Sequence, residues 1–285
     1  MKPDFSTPQV MAIVNVTPDS FYDGGRTFDA DTVARRIEAA VDEGATLLDI
    51  GGYSSRPGAD EVPVEEEWRR VAIGLEAVRR TGVQAAVSVD TFRSTVAERA
   101  VENFGELIVN DISAGELDRA MIPTVARLGV PYVAMHMRGT PQTMQAQTDY
   151  AGGIVDEVTA WAARKTAQLL EAGIRRDRIL LDPGFGFAKT LEQNYALLAG
   201  LHRLCATGYP VVAGVSRKSM IWRALGTTSE EALAGTVALE WECLRQGAAV
   251  LRAHDVRAAA DTVKLYEIYR ENKISLPEPN GATVR

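Results

Sequence analysis

Short runs of β-forming residues recur along the chain, and each ends in a residue that can hydrogen-bond. Val10 to Val14 closes on Asn15, Ala45 to Leu48 on Asp49, Ala85 to Val89 on Asp90, Leu107 to Val109 on Asn110, and Ile179 to Leu181 on Asp182. Val211 to Val215 runs into Ser216, Arg217, Lys218 and Ser219, and Ala248 to Leu251 into Arg252, Ala253, His254 and Asp255. Between the runs the apolar positions change to a helical period. Asp29 or Asp31 can cap a helix with Val33, Ile37, Ala40 and Val41 on one face, closed by Gly44. Pro63 can start another with Trp68, Val71, Leu75 and Val78 inward, ending at Thr81 and Gly82. The pattern predicts further helices over 92–104, 118–128, 150–172, 190–206, 217–246 with a break near Gly226, and 255–272. Eight strands alternate with eight helices at a mean spacing of about 34 residues, the size of a βαβ repeat. The expectation is an α/β chain folded as one TIM (β/α)8 barrel over residues 10–272, with tails at 1–9 and 274–285. A doubly wound open sheet fits less well: no G-x-G-x-x-G follows the first strand, and the polar strand ends are spread over the whole series.

Composition supports that architecture and removes some functions. A chain of 285 residues, 46% of them apolar, can bury a full barrel core. A formal net charge of −7 argues against a nucleic-acid or membrane-surface partner, so an anionic ligand has to be held by local cations. Cys205 and Cys243 have no metal-like spacing and read as free thiols of a reducing cytosol. MKPDFSTPQV carries no signal-like apolar stretch, and no run approaches the roughly 18 residues of a membrane span. A soluble, cytoplasmic protein is expected.

Polar groups at the carboxyl ends of parallel strands are where such barrels build their sites. Asp90, Asn110 and Asp182 offer carboxylate and amide oxygens suited to a ligand edge rich in N–H donors, although any one alone could equally tie a loop to a strand. Arg56 and Arg252 lie just beyond strands and present forks that match phosphate oxygens. His254 alone would read as a capping or core histidine, Asn15 as a turn residue, and Met135 as core. The loops Asn15 to Gly25 and Gly51 to Gly58 exceed the usual two to six residues of a βα turn, which favours mobile lids over simple turns.

In order and spacing, NVTPDSFYDGG (from Asn15), GGYSSRPGA (from Gly51), SVDTFR (from Ser88), NDISAG (from Asn110), LDPGFGFAK (from Leu181), GVSRKSM (from Gly214) and RAHD (from Arg252) resemble dihydropteroate synthase. That resemblance covers nearly the whole chain. It implies condensation of 6-hydroxymethyl-7,8-dihydropterin diphosphate with 4-aminobenzoate to 7,8-dihydropteroate and pyrophosphate, through a pterin-methylene cation, and a sulfonamide target. By resemblance, Asp90, Asn110, Ile112, Met135, Asp182, Phe187, Gly214, Lys218 and Arg252 would form the pterin site. Asn15, Arg56, Arg252 and His254 would hold the diphosphate, with Asn15 as a ligand of Mg²⁺. Phe21, Ser55, Arg56, Pro57, Phe187 and Ser219 would surround 4-aminobenzoate. Asp90, Lys218, Arg252, His254 and Asp23 would act in catalysis, Asp23 by orienting the amine or the metal's waters. A homodimer through the helices around the last two strands is also implied, with Trp222, Trp241 and Leu244 as large apolar residues there.

The chain departs from the commoner pattern at Tyr53, Ser55, Ala188 and Trp222, where Glu, Thr, Gly and a small residue are frequent. Ser55 predicts a slightly roomier aminobenzoate pocket, and Tyr53 could face the outside of its loop. Rival readings are a methyltetrahydrofolate:corrinoid methyltransferase, which has no diphosphate to hold, a Schiff-base aldolase using Lys218, and a pterin-binding protein without turnover. Arg217 and Ser219 flank Lys218 on a polar turn, which speaks against the aldolase.

Overall fold

A computed structural model describes residues 4–17, 30–54 and 61–272. Eight strands run β1 (Gln9–Asn15), β2 (Leu47–Gly51), β3 (Ala86–Asp90), β4 (Ile108–Asp111), β5 (Tyr132–Met135), β6 (Ile179–Asp182), β7 (Val212–Ala213) and β8 (Val250–Ala253). All ladders are parallel, in the order β6-β5-β4-β3-β2-β1-β8-β7. A single parallel bridge between Leu181 and Val211 joins the two ends, so the sheet is a nearly closed barrel. Between the strands lie α1 (Ala30–Asp42), α2 (Val64–Thr81), α3 (Ser94–Phe104), α4 (Met121–Leu128), α5 (Ile154–Glu171), the pair α6 (Leu191–Ala199) and α7 (Leu201–Cys205), and the pair α8 (Ser219–Leu225) and α9 (Leu233–Arg245). Helix α10 (Val256–Glu271) closes the series.

The period of two divides each strand between two cores. Val10, Ala12, Val14, Leu48, Ile50 and their outward counterparts pack against the helices. Met11, Leu47, Ala86, Ile108, Val133, Leu180, Val212 and Val250, one from each strand, fill the lumen, and Phe5 packs beneath them within the segment read as a tail. Stepping two residues along each strand from that layer gives Ile13, Asp49, Ser88, Asn110, Met135, Asp182, Gly214 and Arg252, so the lumen turns from apolar to polar within one inward position.

One helix and one strand differ from the sequence pattern. The expected helix over 190–206 is broken at Gly200, where a side chain would bring a Cβ within 2.7 Å of a Val155 methyl on α5. Strand β7 is only two residues long, because the chain turns after Gly214 so that the Lys218 amide donates to the Val215 carbonyl at 3.1 Å. The break near Gly226 is present, with that glycine in the left-handed conformation at the end of α8.

Candidate functional site

Hydrogen bonds that skip a strand can only cross the lumen, and they define the site. Asn110 on β4 donates through Nδ2 to Asp49 Oδ2 on β2 at 3.0 Å. From β8, Arg252 donates through Nε to the same Asp49 oxygen and through Nη2 to Asp90 Oδ2 on β3, each at 2.7 Å. Arg252 is therefore a strand residue pointing inward, whereas the sequence placed it on a loop. Asp49 likewise lies inside β2 rather than at its end, and it was absent from the expected site although it anchors two of its members. Its Oδ1 and the neighbouring Ser88 Oγ are buried without a hydrogen-bond partner.

Burial sets the charges of this layer. Desolvation pushes the Asp90 carboxyl up to about 7, against the pull of Arg252, while the carboxylates of Asp49, Glu67 and Asp111 add to the rise. Desolvation opposes the charge on Arg252, but Asp49 and Asp90 raise its pKa overall and keep it a firm cation. Asp182, at the end of β6, is also raised by burial, opposed by Lys218, and its Oδ1 accepts from the Gly184 amide at 2.7 Å. Lys218, the half-buried residue before α8, is desolvated enough that its ammonium falls to about 8; Nζ donates to the Phe185 carbonyl and sits 4.8 Å from the centre of the Phe187 ring. Gly214 leaves room beside these cations: a Cβ there would lie 3.8 Å from both Lys218 Nζ and Arg252 Cβ.

At the mouth, Ile112, Met135 and Ala188 belong to an apolar cluster on which Phe187 packs. Ala188 has φ of +50°, which accounts for the glycine frequent at that position. Asn15 ends β1 beside Gly51 and Asp90: a Cβ at Gly51 would lie 3.4 Å from Asn15 Oδ1 and 3.7 Å from Asp90 Oδ2. The His254 amide donates to Ser216 Oγ at 3.1 Å, and its Nδ1 lies 3.3 Å from the same oxygen. Ser219 opens α8 directly after Lys218. Phe21, Asp23, Ser55, Arg56 and Pro57 lie outside the described residues.

Two further expectations, on Tyr53 and on the polar turn around Lys218, are corrected. Tyr53 turns inward: it is buried, meets Phe92 edge-on at 5.1 Å, and lies under the Arg93 guanidinium at 5.4 Å. Arg93 in turn pairs at 2.7 Å with Glu67, which is fully buried and also accepts from Thr91 at 2.6 Å. Arg217 is occupied structurally, bonding both oxygens of Asp255 at 2.7 and 2.8 Å and the carbonyls of Ser229 and Glu230. The desolvation of Lys218 also removes the earlier objection to a Schiff-base lysine. What opposes that role is its pairing with the Phe185 carbonyl and the field of Asp182, both of which favour the protonated, non-nucleophilic form.

Residues 11–254 match the family described as pterin binding enzyme. The dihydropteroate synthase of Haemophilus influenzae is 42% identical over 93% of this chain and 94% of its own length. A Yersinia pestis dihydropteroate synthase in complex with a sulfonamide drug superposes with a TM-score of 0.88 at 36% identity, covering 95% of this chain and 97% of that one. The Xanthomonas albilineans enzyme in complex with 7,8-dihydropteroate gives 0.84 at 37%, covering 96% and 97%. This chain belongs to the pterin-binding enzyme family, among its dihydropteroate synthases.

Proposed function

We propose that the chain condenses 6-hydroxymethyl-7,8-dihydropterin diphosphate with 4-aminobenzoate, giving 7,8-dihydropteroate and pyrophosphate, and that sulfonamides compete at the aminobenzoate position. One observation carries the reading: Asp182, Lys218, Asn110 and the Asp49–Arg252–Asp90 chain ring a single lumen opening whose wall is otherwise Ile112, Met135 and Phe187. An aminopyrimidinone edge presents N–H donors to Asp182 and Asn110, while its carbonyl and ring nitrogen accept from Lys218. The apolar wall holds the ring faces.

Loss of pyrophosphate breaks the bond from the methylene carbon to the diphosphate oxygen and leaves a cation delocalised into the dihydropterin. Asp90, held in place by Arg252, is the carboxylate that stabilises this charge as it forms. The neutral aminobenzoate amine then bonds to the methylene and loses a proton, so positioning replaces any nucleophilic side chain. Phe187 walls the aminobenzoate ring and Ser219, at the start of α8, receives its carboxylate through hydroxyl and backbone N–H, with Phe21, Ser55, Arg56 and Pro57 assigned by resemblance and Asp23 orienting the amine or the metal's waters. Arg56, Arg252 and His254 receive the diphosphate. Among the described residues no group of three or more His, Cys, Asp or Glu could hold a metal. An amide oxygen at Asn15 instead suits a hard cation that arrives with the diphosphate and keeps its waters, and Mg²⁺ so bound would neutralise charge on the leaving group. Among the described residues no helix is long and apolar enough to cross a membrane, and two free thiols fit a cytoplasmic setting.

Pyrophosphate release with both substrates and Mg²⁺ tests the assignment. Release should require both substrates and stop in EDTA. Full activity in EDTA removes the metal from Asn15, and turnover of methyltetrahydrofolate without pyrophosphate release favours the corrinoid methyltransferase. Borohydride trapping of a carbonyl substrate on Lys218 would favour the aldolase.

The homodimer remains attractive on different residues. Leu244 is in the core and Trp222 packs partly against it, so neither forms the exposed face. Leu225 (62% exposed), Leu265 (61%) and Ile268 (51%), on α8 and α10, present apolar surface, and Trp241 on α9 meets Tyr266 of α10 edge-on at 5.7 Å and Tyr269 at a tilt at 5.5 Å. Sedimentation at micromolar concentration should give a dimer that Leu265→Glu converts to monomer; a single species at the 30.9 kDa monomer mass refutes the assembly.

A further inference from the structure

The loop after β6 is held by side chains instead of by secondary structure. Its backbone alternates through the left-handed region at Gly184 (φ +69°), Gly186 (φ +81°) and Ala188 (φ +50°), and a turn bond from the Phe187 amide to the Gly184 carbonyl at 3.1 Å pairs within it. Each carbonyl from Gly184 to Ala188 accepts from a side chain: Lys189 at Gly184 (2.8 Å), Lys218 at Phe185, Gln145 at Gly186 (3.2 Å), Lys189 again at Phe187 (2.9 Å), and Tyr150 at Ala188 (2.9 Å). The space is tight, since a Cβ at Gly184 would lie 2.0 Å from the His136 carbonyl oxygen.

Lys189 is the donor that takes two of these carbonyls. Its Nζ also lies 3.2 Å from His136 Nδ1 and, more distantly, 3.5 Å from the His136 carbonyl, and the residue is 4% exposed. A lysine ammonium has three N–H bonds, and three acceptors surround it at short range. That geometry requires a neutral His136 with a free lone pair on Nδ1, which its burial enforces by driving the imidazole down to about 2. His136 is in turn wedged edge-on against Trp161 at 5.2 Å. The cation thus bridges the loop after β5 to the loop after β6.

We propose that Lys189 is a positioning residue for this reaction: its buried ammonium fixes the Gly184–Ala188 loop so that the Phe187 ring stands correctly against Lys218. The proposal rests on the reading of this pocket as the pterin and aminobenzoate site. Lys189 touches no substrate itself. Removing its three donors leaves the Phe187 carbonyl and the ring nitrogen of His136 unsatisfied and the Gly184 carbonyl with the Phe187 amide alone, and the loop has to open to hydrate them. The consequence falls on Phe187, which then no longer walls the ring.

Steady-state kinetics with pyrophosphate release as readout tests this on Lys189→Met, Phe187→Ala and the double variant. Lys189→Met should raise KM for both substrates about tenfold with kcat within about threefold of wild type, the signature of lost uniform binding. In the Phe187→Ala background the same replacement should change KM by less than about twofold, because both act through one ring. Lys165→Met supplies the control: that lysine is equally buried and donates to the Ala114 carbonyl at 3.0 Å and Glu116 at 2.6 Å, under a different loop. It should lower stability and leave both KM values in place. Additive effects of Lys189→Met and Phe187→Ala, or equal KM changes in Lys165→Met, overturn the proposal. If Lys189→Met does not fold, Lys189→Gln, which keeps two donors, takes its place, and failure of both to fold assigns the lysine a purely architectural role. A wild-type protein that releases no pyrophosphate refutes the reaction itself, an outcome separate from any ratio between variants.

Discussion

Arg252→Met should destabilise the free enzyme by about 3 to 5 kcal/mol, the usual cost of removing one partner from a buried ion pair, and lower kcat/KM by about 10² to 10³-fold. The guanidinium bridges Asp49, which is fully buried, and Asp90, so its loss leaves two carboxylates in the lumen without their cation. Chemical denaturation as a function of pH separates this cause from simple loss of packing. Asp90 in the folded wild type ionises at about 7, above the roughly 3.9 of an unfolded aspartate. Between those values the folded state binds more protons than the unfolded one, so the contribution of Asp90 to stability is full below about pH 4 and is lost as pH rises to about 7. Arg252 restrains that loss. In Arg252→Met the loss should extend to higher pH, so the deficit relative to wild type grows from pH 6 to pH 9 and shrinks on acidification. A deficit independent of pH would mean that the arginine acts by packing alone. In turnover, the wild-type rate should rise with pH through about 7 as Asp90 ionises, and Asp90→Asn should remove that limb.

The barrel was legible because its signal is local and repeated: apolar runs of strand length, helical periods between them, and a spacing that suits βαβ units. The polar strand ends Asn110 and Asp182 followed from the same pattern, while Met135, which reads as core by itself, was singled out by the resemblance alone. What the sequence hid depends on closure. Asp49 reads as a strand end when Ala45 to Leu48 is taken as the run, but β2 starts at Leu47, and the period of two then sends Asp49 into the lumen with Leu47. Arg252 followed the same logic inside β8, where a positive charge in a strand makes sense only once β2 and β3 are known to face it. Lys189 carried no periodic signal at all. Its acceptors are backbone carbonyls and His136, some fifty residues upstream, and a left-handed loop creates them. Tyr53 was misread for a related reason: its partner Phe92 lies on the neighbouring βα loop, which strand order alone brings within reach.

Asp182→Asn should reduce pterin affinity by about 1.5 to 3 kcal/mol, roughly 10- to 150-fold, with the fold intact. The amide oxygen can keep the bond from the Gly184 amide, now 2.7 Å from Oδ1, but its NH₂ then faces the lumen. A pterin edge presents donors there too, so two N–H groups meet where a carboxylate previously accepted. A second loss follows from charge. Asp182 is the main group holding the Lys218 ammonium up at about 8 against burial, and without it the lysine should lose its proton at lower pH. Neutral Lys218 is a poorer donor to the pterin carbonyl, so the affinity deficit should widen between pH 7 and pH 8, where loss of the carboxylate's own hydrogen bonds alone would not widen it. Calorimetric titration of a pterin into the folded variant at both pH values measures each component. Unchanged affinity would remove Asp182 from the pterin edge, while a deficit that does not widen with pH would leave the hydrogen bond in place and sever its electrostatic link to Lys218.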